Sequence, residues 1–216
     1  MTETLRQVQV RGVGRESRPP DLAVITVGVE TRAGTAGAAL SANNTAAAST
    51  LSVLRAHGID AADVQTSQIN VHPDYDHTTG RSVGYVVSNQ LRVKIRALNA
   101  AGSVLDAVAA AAGDSVRIHG LQFELTDRAG AERAARAAAV VDARDQAEQL
   151  SGAAGVGLGP LLSISTVRVA NEAFPSPMFA ARSTARDTMP VEGGSVDVSV
   201  EVDLIYELMD RPQDRP

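Results

Sequence analysis

Alternating apolar and polar residues predict most of the strands in this chain. The most regular run lies near the end, where four valines and Leu204 alternate with three acidic residues and a serine. A period of two is typical of strands that bury one face and expose the other. Weaker alternation predicts the remaining strands. The full set lies around Val8 and Val10 and at about 22–30, 66–71, 85–96, 116–125, 161–169 and 196–207.

The first predicted helix extends from about Thr35 to His57. One face carries Leu40, Ala47, Leu51 and Leu54 at helical spacing, with Asn44 among them. A buried asparagine needs a hydrogen-bond partner. We therefore expect Asn44 to bond a backbone carbonyl or amide and fix the helix position, with orientation of a ligand as the alternative.

The order of the predicted elements repeats along the chain. A strand, the first helix and two strands form a β-α-β-β unit within residues 6–97, and the same order returns within 114–208 around the longest helix, at about 127–152. A short helix at 99–112 links the two units. We predict an α+β fold of pseudo-duplicated β-α-β-β units, with mostly antiparallel sheet packed against helices in a single domain over 1–216.

Glycines predict two local features of the strands. The alternation changes phase at His119 and Gly120, which predicts a β-bulge, because glycine tolerates the distorted backbone. Gly12 and Gly14 lie in a strand pattern with no helix directly after them. They are expected to permit either a close approach of another backbone or a bulge.

The charges on two strands predict that they are neighbours. The solvated face of the strand at 90–96 is basic, and that of 197–203 is acidic. Opposite charges that face each other across strands stabilise a pair by roughly 0.2–1 kcal/mol. We therefore expect these two strands to pair.

Composition excludes several functional classes. The 216 residues include no cysteine, which excludes disulfides, thiol nucleophiles and cysteine-ligated zinc. Only 3% are aromatic, the formal charge is −5 and no basic run stands out, so we expect no nucleic-acid partner. No apolar stretch approaches the ~20 residues that span a bilayer. The first six residues show no export signal, which predicts a cytoplasmic protein; if a signal has been removed, the periplasm or cell envelope is the alternative.

Several short motifs resemble the SIMPL-domain family when they are taken together in order. They are VRGVG at 10–14 followed by Pro20 and Asp21, DVQT at 63–66, INVHPDY at 69–75, GVGLG at 155–159 and PVEG at 190–193. The resemblance covers about residues 6–208. It implies a bacterial protein of the periplasm or outer membrane, of a kind that includes immunogenic antigens and large homo-oligomers. It offers no catalytic residue or cofactor, so we predict a non-enzymatic, self-associating protein of unknown cellular role.

The densest group of metal-ligand residue types is a turn between two predicted strands. It contains His72, Asp74, Asp76 and His77. In an extended segment the first three would share a face, and imidazole and carboxylate groups are common metal ligands. A metal- or small-molecule-binding protein is therefore an alternative function. The competing interpretation is a polar hairpin tip, because aspartate favours turns.

The segment 171–190 has three prolines and little periodicity, which predicts a long excursion from the fold. It carries Phe174, Met178 and Phe179. Exposed apolar residues in a long loop often mark contacts, so we expect these three to contact another copy or a partner. An adaptor that docks a signalling partner through this segment is the third alternative.

Overall fold

The computed structural model describes residues 6–167 and 191–210, which form antiparallel sheets and helices and confirm the α+β fold. The strands are β1 (Gln7–Arg18), β2 (Leu22–Ala33), β3 (Val64–Tyr75), β4 (Ser82–Ile95), β5 (Val116–Glu124), β6 (Gly157–Val167) and β7 (Val196–Met209). The helices are α1 (Ala36–Ala56), α2 (Ala101–Ala112) and α3 (Arg128–Ala153). Short 3-10 turns occupy Ala61–Asp63, Leu98–Ala100 and Gly113–Ser115.

The described residues divide into two compact units. The four-stranded unit contains β2 to β5 with α1 and α2, and its strand order is β3-β4-β2-β5. The three-stranded unit contains β1, α3, β6 and β7, in the strand order β1-β7-β6. Because β5 pairs with β2, while β7 pairs with both β1 and β6, strand pairing does not confirm the predicted duplication. The single domain over 1–216 stays a prediction.

Alternation along the strands builds the core of the four-stranded unit. Leu91, Val93 and Ile95 of β4 are buried, as their spacing predicts, and they pack with Ile25 and Val27 of β2. Helices α1 and α2 contribute Leu54, Val104 and other apolar side chains to the same cluster. The opposite face of the sheet carries mostly polar residues.

Helix α1 has the predicted ends but a different buried face. The Thr35 hydroxyl accepts a hydrogen bond from the Ala38 N–H at 3.3 Å, and Gly58, at φ 77°, follows the C-cap residue His57. The expectation for Leu40 and Asn44 is wrong, since Leu40 is 38% exposed and Asn44 is exposed. The buried row is Ala39, Asn43, Ala47, Thr50 and Leu54. In this orientation the Asn43 amide reaches the backbone carbonyls of Val29 and Val87 in the sheet, and the Thr50 hydroxyl donates to the Ala46 carbonyl of its own helix.

The predicted bulge is present in β5. Thr26 pairs with Gly120 and Val27 with Ile118, which leaves His119 as the extra residue. The His119 ring lies over the backbone of Gly28, where an added Cβ would be 2.7 Å from its Nε2. The bulge therefore directs an imidazole across the polar face of the sheet.

In the three-stranded unit, α3 lies very close to β1. Five alanines at four-residue spacing are fully buried, and they are Ala131, Ala135, Ala139, Ala143 and Ala147. A Cβ added at Gly12 would meet the backbone of Ala139 and Ala143, and one added at Gly14 would meet that of Ala135 and Ala139. Of the two alternatives for these glycines, the structure shows the close approach of another backbone.

The predicted pairing of the basic and acidic strands is wrong, because β4 and β7 belong to different sheets. The acidic face of β7 is neutralised by β1, where Arg11 lies 2.7 Å from Asp203. Arg92 and Arg96 pair with Glu124 and Asp63. Complementary charge alone does not identify the partner of a strand, because several strands of this chain carry suitable charges.

Candidate functional site

The predicted metal ligands are divided between β3 and the turn that follows it. Asp76 Oδ1 accepts hydrogen bonds from the backbone N–H groups of Thr78 and Thr79 at 2.7 and 2.8 Å, and these bonds lower the pKa of Asp76. Asp74 lies 3.4 Å from Arg32. Within residues 6–167 and 191–210, no group of three or more His, Cys, Asp or Glu side chains could hold a metal ion. The segment forms a polar turn between β3 and β4, and a metal site at these residues stays a prediction.

The predicted partner contacts Phe174, Met178 and Phe179 lie outside the described residues. Their role stays a prediction.

The open edge of the four-stranded sheet exposes large apolar side chains. Strand β3 lies at this edge, and Ile69 and Val71 are 58% and 45% exposed. They pair with Asn89 and Val87 of β4, on the face that carries the helices. Because α1 packs against β2 and β4, the helices among the described residues leave Ile69 and Val71 exposed.

The other face of β3 is polar but carries few charges. Gln68, Asn70 and His72 pair with Gln90, Ser88 and Val86 of β4. The sequence from 64 to 73 has no aspartate, glutamate, lysine or arginine. Strand β3 is therefore an amphipathic edge without the charges that usually discourage pairing.

Two of the remaining three sheet edges are protected. Strand β5 has a bulge, Arg117 and Glu124. On β1, the Val13 N–H donates to Asp142 of α3 at 2.8 Å, so part of that edge is already bonded. Charges and bulges such as these prevent association through strand edges.

Strand β6 is an intermediate case. It has no charged residue, and Leu161, Leu162 and Ile164 are exposed. However, it contains Pro160, and its register with β7 shifts on both sides of Leu161. Among the described strands, β3 and β6 are thus the two edges open to pairing.

Two arginine–aspartate pairs stabilise the strands. Arg96 donates two hydrogen bonds to Asp63, at 2.9 and 2.8 Å, and Arg11 donates two to Asp203, at 2.7 and 3.0 Å. In both pairs the arginine hydrogen bonds are the main cause of a lowered aspartate pKa.

These pairs predict a loss of stability in acid. A carboxylate whose pKa is lower in the folded than in the unfolded protein stabilises the fold above its unfolded value, and this contribution disappears as the pH falls through the folded value. We expect the free energy of unfolding in urea to decline as the pH drops below 3.8, the ordinary value. Asp63→Asn combined with Asp203→Asn should flatten this decline, and an unchanged slope would contradict the assignment.

The chain belongs to the SIMPL family, a group described as protein of unknown function (DUF541), which it matches over residues 8–206. It is 30% identical over 228 aligned positions to the 26 kDa periplasmic immunogenic protein of Brucella melitensis biotype 1. This alignment covers 96% of this chain and 87% of the Brucella protein. The chain is 28% identical over 197 positions to the uncharacterized protein YggE of Escherichia coli K12, covering 88% and 78%. The family resemblance of the motifs is confirmed, and these relatives are bacterial.

The relatives correct the expected location. The Brucella proteins are named as periplasmic, which points to the periplasm and overturns the prediction of a cytoplasmic chain. That prediction depended only on the first six residues. No helix among the described residues is long and apolar enough to cross a membrane.

The edge position of β3 was missed by the sequence analysis, although a signal for it exists. The predicted strand at 66–71 is shorter than the observed Val64–Tyr75. Pro73 lies inside the observed strand, and proline in a sheet is confined mainly to edges. Together with the absence of charge from 64 to 73, this residue identifies an unprotected edge.

Proposed function

We propose that this chain is a non-enzymatic, self-assembling protein of the bacterial periplasm, whose copies associate through the open edges of their sheets. The observation that carries the proposal is the exposed, uncharged edge of β3, where Ile69 and Val71 lie uncovered. The names of the Brucella relatives support the compartment.

Self-assembly follows from the chemistry of a strand edge. An open edge presents a row of unpaired N–H and C=O groups, and another strand can satisfy them. Here the same edge also exposes apolar side chains, whose burial favours association. Since β1 and β5 of this chain are protected, the lack of protection on β3 supports a role in pairing.

The solution mass tests this proposal. We expect light scattering after size exclusion to give a multiple of the 22.4 kDa chain mass. In the double variant Ile69→Lys, Val71→Lys the solution mass should fall towards that of a single chain, because each copy places two charges at the proposed contact. Gln122→Lys is the matched control, because it adds a charge to the exposed surface of the protected edge β5 and should leave the mass unchanged. A wild-type mass of one chain would overturn the proposal.

A further inference from the structure

We infer that two copies of the chain pair through β3 itself, antiparallel, about a two-fold axis at Asn70. This inference rests on the proposed self-assembly and specifies its contact. Three observations support it. They are the direction of the backbone groups of β3, the register that its irregular positions allow, and the fit of each face of β3 to the same face of a second copy.

Pro73 indicates which backbone groups of β3 are open. It has no N–H to donate, and a proline within an edge strand places its nitrogen on the solvent side. Pairing between β3 and β4 is regular from Gln68 to Asp74. By the two-residue period of a strand, the N–H and C=O groups of Ile69 and Val71 therefore point to the same open side as Pro73.

One register uses these groups fully. With the axis at Asn70, Ile69 lies opposite Val71 of the second copy and Val71 lies opposite Ile69 of the second copy. Both residues of each pair present outward N–H and C=O groups, so each pair can exchange both of its hydrogen bonds. The open edge of β3 in one copy thus supplies hydrogen-bond partners for the open edge of β3 in the other copy.

The neighbouring registers are less favourable. An axis at Val71 places Pro73 opposite Ile69 in two symmetry-related pairs, and each of these pairs loses one donor. An axis at Ile69 places Ser67 opposite Val71, but the register with β4 is irregular between Thr66 and Gln68. The axis at Asn70 places Pro73 opposite Ser67, so the missing donor and the irregular position fall in the same outer pair, and the two central pairs keep all of their hydrogen bonds.

The side chains on the two faces of β3 match in this register. A two-fold axis perpendicular to the sheet keeps the helix-bearing faces of both copies on one side, so exposed Ile69 and Val71 cover each other. On the polar face, Asn70 meets its own counterpart and Gln68 meets His72 of the second copy. No two residues of like formal charge lie opposite one another among these pairs. The pairing would join two four-stranded sheets into one continuous sheet.

Single cysteines test the axis directly, because the chain has no cysteine of its own. Under mild oxidation, Asn70→Cys should shift the band on a non-reducing gel to that of two chains. Gln68→Cys and His72→Cys should each cross-link weakly alone, since identical positions are then offset by four residues, or about 13 Å. A mixture of these two variants should cross-link efficiently. Gln122→Cys, exposed on the protected edge β5, is the matched control.

The results separate this inference from the proposed function. If the wild-type mass is a multiple of one chain but Asn70→Cys cross-links no more than Gln122→Cys, the axis at Asn70 is wrong and assembly stands. Preferential cross-linking of Ser165→Cys would then locate the contact at β6. If the wild-type protein is a single chain, the proposed function and this inference both fail.

Discussion

Gly14→Val should abolish stable folding of the three-stranded unit. A Cβ at Gly14 would overlap the backbone of α3 at Ala135 and Ala139, and a backbone cannot rotate away as a flexible side chain can. We expect the free energy of unfolding to fall by more than about 3 kcal/mol, at or beyond the upper end of typical overpacking costs. That is a large share of the roughly 5–15 kcal/mol by which proteins are stable. Urea denaturation followed by circular dichroism measures the loss.

Gly37→Ala is the matched control for this substitution. Gly37 lies in the first turn of α1, it is exposed, and an added Cβ would meet nothing within 4 Å. Alanine there should be neutral or stabilise the protein by up to about 1 kcal/mol, because glycine loses more conformational freedom in a helix. Equal unfolding midpoints for Gly14→Val and the wild type would contradict the close approach of α3 to β1.

The close approach explains the composition of both elements. Because α3 presents a row of alanines and β1 presents Gly12 and Gly14, the helix axis can lie nearer to the sheet than larger side chains would allow. The opposite flank of the helix remains solvated and charged, with ion pairs such as Arg144 to Glu148 at 2.8 Å. Small residues in register on two elements therefore determine the packing of this unit.

Features that depend on neighbouring residues were predictable from the sequence. The ends of α1 follow from Thr35 and Gly58, and the bulge at His119 follows from a change of phase. Strand partners were not predictable, because the order of elements repeats while the pairing does not. The basic face of β4 and the acidic face of β7 each found closer partners within their own units.

The candidate site, too, depends on contacts that the local sequence does not determine. The residue types at 72–77 are compatible with a metal site and with a turn, and the turn itself is visible only in the structure, where Asp76 accepts hydrogen bonds from two backbone N–H groups. The open edge depends on which strand lies outermost in the sheet, and topology decides that. The sequence shows the residue types of this open edge, namely Pro73 and the uncharged run around Asn70. It does not show that the strand lies at the edge of the sheet.

Asn43→Ala should be the second strongly destabilising substitution. The buried Asn43 side chain donates to the carbonyls of Val29 and Val87, at 2.8 and 3.2 Å, and so joins α1 to two adjacent strands. Removing it takes a partner from two buried carbonyls, which should cost about 2–4 kcal/mol. Asn43→Leu, which restores volume without a donor, should remain destabilised if the hydrogen bonds matter more than packing.

Asn44→Ala provides the matched control, since it removes the same side chain one residue further along the same helix. Asn44 is exposed, so its loss should change the free energy of unfolding by less than about 0.5 kcal/mol. The contrast is informative because the two residues are identical in type and helical context and differ by one step of rotation about the helix. If both variants unfold at the same urea concentration, the amide of Asn43 does not hold α1 on the sheet, and apolar contacts such as those of Leu54 must do so.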